Sequence, residues 1–400
     1  MALLKIDEPP KTGHQDRGFS NQPVWRLGFR PFYLLATIFA AISIPFWLAS
    51  YLGRFQVAPN VNLLWHMHEM VFGFVIAVII GFLYTAGRNW TGLWTPRKGH
   101  LALLAALWLA GRFAMLASPT AMTVLIDWAF IPCATWPIYQ VLKRAGNKRN
   151  MFLVGLLGLL TLGNTLFHAA VLGWIALSPI SIMQGAILVI VIITSVIGGR
   201  VIPGFTANAV PGLKPLVEPK RDKITLALTV AASVSWLLPL PAAFVGSLAI
   251  CAALMQLIRL AGWQPQRTLQ RPLLWILHVG YGWTPAGFVL LGLAKWGVVP
   301  ASAAFHALAV GTISSLIVGM ITRTALGHTG RQLKAGRTEL CMYLLIQLAA
   351  LTRLAAAIDI GGSREIMLFI AAISWSMTFL LYLAVYGPYL LQLRLDGKEG

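Results

Sequence analysis

Twelve apolar stretches follow one another along this 400-residue chain, and no segment between them is large enough to form a soluble domain. A run of about 17–25 apolar residues is what a helix needs to cross ~30 Å of hydrocarbon. Inside a bilayer, only helices and closed barrels satisfy their own backbone. Stretches of this length therefore predict an all-α polytopic membrane protein. The expected spans are 30–52, 65–87, 100–117, 121–142, 151–175, 180–202, 223–238, 240–262, 272–295, 300–322, 338–358 and 365–393. Residues 1–29 then form a terminal segment, 30–393 one membrane domain and 394–400 a short tail. Composition agrees, with 58% hydrophobic and 11% charged residues.

The net charge of +19 would suggest a nucleic-acid partner in a soluble protein. Its placement argues for orientation instead. With twelve spans, 26 of the 31 Lys and Arg fall on one side, leaving Arg54, Arg112, Lys295, Arg353 and Arg364 on the other. Such alternation is the positive-inside pattern, and it predicts two cytoplasmic termini and no nucleic acid. The N-terminus shows neither the apolar core nor the cleavage site of a signal peptide. Val201 to Asp222 carries four prolines and is expected to be an extended loop. Cys133, Cys251 and Cys341 are far apart in predicted spans and read as small core hydrophobes. With no CxxC pair, c-type haem attachment and an iron–sulfur site are not indicated.

A weak repeat is visible. Segments 68–92, 183–207 and 306–330 align without gaps, matching His68 to His306, Gly73 to Gly311, Gly81 to Gly319, Thr91 to Thr329 and Gly92 to Gly330. The middle copy has Met183 in place of histidine. If the repetition is structural, it implies three four-helix units in a pseudo-threefold arrangement, with His68, Met183 and His306 at one depth.

The chemistry is concentrated in histidine. His14, His100 and His328 lie in polar segments and read as solvated. His66, His68, His168, His278 and His306 lie in or at the ends of spans, where only Glu69 and Asp127 offer carboxylates. Intramembrane ionisable groups are functional candidates by default, and neutral imidazole binds iron, copper and zinc. His68, His168 and His306 fall near the outer face. His278 falls near the cytoplasmic face, where it is either structural or part of a second site or proton path. Two positions on a helix are about 200° apart, so His66 and His68 face opposite ways. His66 and Glu69, three apart, are expected to share a face as copper ligands or as a pair supporting the metal's ligands; the alternative is that they cap the helix. His68 and His306 are the axial-ligand candidates for a haem. Arg112 and Arg353 suit haem propionates, the alternative being pairing of Arg112 with Asp127 and of Arg353 with Asp359. The tryptophans read mainly as an interfacial belt. No Walker loop, GxSxG elbow or HExxH appears in a supporting context.

Trp25-Arg26-Leu27-Gly28-Phe29-Arg30-Pro31-Phe32-Tyr33, Trp65-His66-Met67-His68-Glu69-Met70, Gly81-Phe82-Leu83-Tyr84-Thr85-Ala86, Asn89-Trp90-Thr91-Gly92 and Arg323 to Arg331 resemble the NnrS family over essentially the whole chain. The resemblance implies a bacterial inner-membrane protein containing haem, here of b type, and copper, associated with nitric oxide metabolism and relief of nitrosative stress. Twelve spans in three arcs are also similar to haem–copper oxidases, which draw metal ligands from spans two, six, seven and ten. Here spans six and seven lack histidine, so copper would have to recruit His66, His168, Met183 or Glu69. The rival expectations are a secondary transporter, which should show a six-plus-six repeat, and a haem or copper sensor or chaperone without turnover.

Overall fold

The computed structural model describes residues 18–56 and 58–398; His14, Lys5, Lys11 and Arg17 lie outside them. Among the described residues the fold is all-helical. Twelve long helices are formed: α1 Phe29–Tyr51, α2 Leu63–Thr91, α3 Lys98–Ala114, α4 Ala121–Arg144, α5 Lys148–Val171, α6 Pro179–Ala209, α7 Pro219–Leu237, α8 Ala242–Gly262, α9 Pro272–Lys295, α10 Ala301–His328, α11 Arg337–Ile358 and α12 Arg364–Leu391. Ten are long and apolar enough to cross a membrane; α3, at 17 residues, and α7, which opens on Lys220, Arg221, Asp222 and Lys223, fall short on length and polarity.

The helices pack in three runs of four neighbours: α3 to α6, α7 to α10, and α11, α12, α1, α2. Contacts of α6 with α7, α10 with α11, and α2 with α4 join the runs. This is the packing order that three four-helix units produce. The repeat also has a conformational signature. In α2 a π-helical segment covers Glu69–Val75, directly after His68, and in α10 another covers Ala307–Ser314, directly after His306. The two segments start at the same offset as the matched histidines; α6, with Met183, has no such segment. A π-segment leaves backbone carbonyls to be satisfied by side chains. The Trp108 indole donates to Gly73 O at 3.0 Å and the Ser314 hydroxyl to Ala309 O at 2.9 Å.

The expected extended segment 201–222 is partly helical. α6 continues through Pro203 to Ala209, because one proline removes one helical hydrogen bond while Ile202 and Thr206 stay buried in the bundle. Only residues 210–218 connect to α7.

The sequence motifs at the basic face tie the chain ends together. Gly28 lies against Tyr84, whose hydroxyl donates to Ala134 O at 2.9 Å. The Phe29 N–H donates to Thr85 at 3.3 Å. Arg30, fully buried, donates to the α12 end at Leu390 O (2.9 Å) and Gln392 O (2.7 Å). Hydrogen bonds to a charged group are each worth about 1.5–3 kcal/mol. Arg30→Ala is therefore expected to destabilise the protein by at least that much, read as a lower midpoint in denaturant, with no change in any bound metal.

Candidate metal centre

At the ends of α2 to α5 away from the basic loops, six polar side chains converge in the membrane-spanning bundle. Their placement begins with the start of α2. Asn62 caps that helix by accepting from Trp65 N–H at 3.0 Å, so the capping role considered for His66 and Glu69 belongs to Asn62. Within the first turn and a half, His66 and His68 diverge. The His66 ring stacks on Trp47, with centroids 3.9 Å apart and planes at 19°. His68 turns the other way and is fully buried.

Glu69 goes with His68 rather than with His66. The Glu69 carboxylate accepts from His68 Nδ1 at 3.0 Å and from Arg112 Nη1 at 2.6 Å. Adjacent helical positions lie only about 100° apart, a glutamate chain spans that gap, and the Arg112 guanidinium fixes where it goes. The expected His66–Glu69 pair is therefore replaced by a His68–Glu69 pair.

Asp127 of α4 is the hub. Its carboxylate accepts from Arg112 Nη2, from Asn164 Nδ2 at 3.0 Å and from His168 Nε2 at 2.9 Å, and lies 3.3 Å from His68 Nε2. His68 Nε2 donates to Asn164 Oδ1 at 2.9 Å. His68, Asp127 and His168 thus present two imidazole nitrogens and a carboxylate oxygen, all within 4.8 Å of one another. Two histidines and one carboxylate with mixed N and O character suit copper, iron or zinc. Behind them, Glu69 holds the far nitrogen of His68, the carboxylate–histidine arrangement that orients metal-bound imidazoles. The Phe72 and Phe167 rings pack on His68 at 5.1 and 4.9 Å and exclude water.

The space over His68 is filled by Phe72, Phe167 and His168, which suits a single ion between His68, Asp127 and His168 better than a ring above His68. Arg112 is saturated by two carboxylates, matching the pairing with Asp127 and leaving it unavailable to a propionate.

His306 enters a different group and is not brought together with His68. Its Nδ1 donates to Ser302 O at 2.6 Å, which leaves the Nε2 lone pair free to ligate. It lies within electrostatic reach of His66 and Arg353. His66 Nδ1 is buried with no partner. Arg353 makes no ion pair with Asp359, nor with any other carboxylate, among the described residues; its charged neighbour is Arg364, whose guanidinium donates to Tyr51 at 2.9 Å. An imidazole with a free lone pair beside Arg353, which has no carboxylate partner among the described residues, would suit a metal ligand next to a carboxylate-bearing cofactor.

Met183 is buried in the apolar core, and His278 sits apart on α9, bonded to Thr206 at 2.9 Å. Asp127 and Asn164 were absent from the ligand candidates read from sequence. Asp127 carried a signal, being one of two in-span carboxylates. Asn164 carried none, since a neutral amide in a membrane helix is unremarkable.

The family model described as NnrS protein matches residues 23–394. No curated protein matches the chain.

Proposed function

The chain belongs to the NnrS family, and from that premise we propose that it is a bacterial inner-membrane metalloprotein that binds or turns over nitric oxide, relieving nitrosative stress. The observation carrying this reading is the buried His68–Asp127–His168 group. We assign a single copper or iron ion to these three residues, with Glu69, Arg112 and Asn164 supporting them. A b-type haem is assigned to the neighbouring group of His66, His306 and Arg353.

When bound, such metals supply an open coordination position and a redox couple. The protein's own part is to fix geometry and exclude water. Glu69 orients the His68 ring, Arg112 holds both carboxylates in place, and the surrounding phenylalanines keep the site dry for a small neutral ligand. The predominance of basic residues in alternate loops supports cytoplasmic termini.

A specific observation favours one second reading. The two ring nitrogens of His68 face Glu69 and Asn164, and Arg112 bridges the two carboxylates. Such a buried ionic cluster also suits a proton-coupled carrier, although the packing in three runs of four does not follow a six-plus-six plan.

Metal analysis and optical spectra of the full-length protein, expressed with haem and copper supplied, separate these readings. The expected result is a Soret band that shifts on adding nitric oxide, together with a non-haem metal. His306→Ala should abolish or shift the Soret band and leave the second metal. His168→Ala should do the reverse. Protein without either metal, showing substrate flux in proteoliposomes, would replace this reading with the carrier.

A further inference from the structure

Away from both histidine groups, an apolar cavity of about 100 Å³ lies where α1, α2, α6, α9 and α10 meet. Ile190, Ile193, Leu277 and Ile313 form its depth, while Ile197, Val201 and Met320, partly exposed, mark its mouth. Water gains no hydrogen bonds on such a wall, so its stable contents are apolar. The mouth is different in character. Arg323 follows Met320 by one helical turn, and its guanidinium lies across the Phe205 ring at 4.0 Å, bridging α10 to α6. Among the described residues Arg323 has no carboxylate partner. Next to Val201, Arg200 donates to the Asn150 amide oxygen at 3.0 Å, lies over the Phe152 ring, has Arg149 as a charged neighbour and has no carboxylate partner among the described residues.

An apolar slot ending in unpaired guanidinium groups is complementary to an amphiphile with an anionic head. The ten residues from Ile313 to Arg323 correspond to about 15 Å of helix, which is about half of the ~30 Å hydrocarbon core. We propose that this cavity, which is open at its mouth, takes up part of one acyl chain of an anionic phospholipid from the leaflet at the basic face, with its phosphate on Arg323. A neutral gas would leave the arginine unanswered, and a free phosphate would leave the apolar slot empty. The proposal concerns neither histidine group, so it stands or falls independently of metal content.

The test uses full-length protein, delipidated in neutral detergent and offered dioleoyl phosphatidylglycerol or dioleoyl phosphatidylcholine, with retained lipid counted by native mass spectrometry. The expected result is at least tenfold preferential retention of phosphatidylglycerol. Arg323→Gln should reduce that retention to the phosphatidylcholine level, and Arg323→Lys should restore most of it. Ile197→Trp, which narrows the mouth, should lower retention of both lipids. Arg88→Gln, on the same face but away from the cavity, should change nothing. Equal retention of the two lipids by the unaltered protein, undiminished retention by Arg323→Gln, or an equal loss in Arg88→Gln would overturn the proposal. Should Ile197→Trp fail to fold, the Arg323 and Arg88 comparison still decides.

Discussion

Replacing Asp127 with alanine should be among the most damaging single changes in the protein, lowering stability by about 3–5 kcal/mol and abolishing non-haem metal binding. Removing one partner from a buried ionic network leaves the others uncompensated, which is where a loss of that size comes from. Here the abandoned partners are Arg112, His168 and Asn164, all less than a tenth exposed and all bonded to this one carboxylate. Asp127→Asn keeps the shape but loses the charge, and its amide opposes the donors of Arg112 and His168. It should therefore fall between the parent and alanine in stability while losing metal as fully as alanine does. Denaturant melts paired with metal analysis check both halves. A stable, metal-free Asp127→Ala protein would show that the network contributes little to folding; a metal-replete one would remove Asp127 from the ligand set.

Much of the architecture is legible in the sequence, because the bilayer imposes a length and an apolarity that the chain must display. Ten of the twelve helices follow from that constraint, while α3 and α7 fall short of it. The 238-residue offset between His68 and His306 reappears as two π-segments beginning at residues 69 and 307. The candidate site was legible only in part. Costly residues announce themselves singly, so His68, His168, Arg112 and Asp127 stood out against an apolar background. Their convergence did not, since it depends on how α2, α3, α4 and α5 approach one another. Glu69 was assigned to the wrong neighbour because angular spacing on a regular helix ignores both the reach of a glutamate side chain and the pull of a cation on another helix. The motifs at the basic face had a different meaning again. Gly28, Arg30 and Thr85 close the chain ends on one another at the opposite side from the metal-ligating residues, so their role is to hold the bundle rather than to carry chemistry.

Arg112 allows a sharper test of whether the cluster is a metal centre or only a structural knot. In the metal-free protein its guanidinium bridges Glu69 and Asp127, which belong to different helices. Arg112→Met keeps most of the side-chain volume and removes the charge, so metal-free protein should lose about 3–5 kcal/mol of stability. A dication bound by His68, Asp127 and His168 would supply positive charge to the same carboxylates. Binding to the folded state stabilises by mass action, about 2.7 kcal/mol at a hundredfold excess over the dissociation constant. The variant should bind the ion more tightly than the parent protein, because the competing guanidinium is gone. Adding copper should therefore raise the melting midpoint of Arg112→Met by more than it raises that of the parent. The same addition should leave an Arg112→Met, His168→Ala double variant close to its metal-free midpoint. A purely structural knot behaves otherwise: Arg112→Met would be destabilised to the same extent, and metal would restore neither protein. The difference between the two metal-induced shifts, rather than the destabilisation itself, is thus the quantity that distinguishes a binding site from a buried ion network.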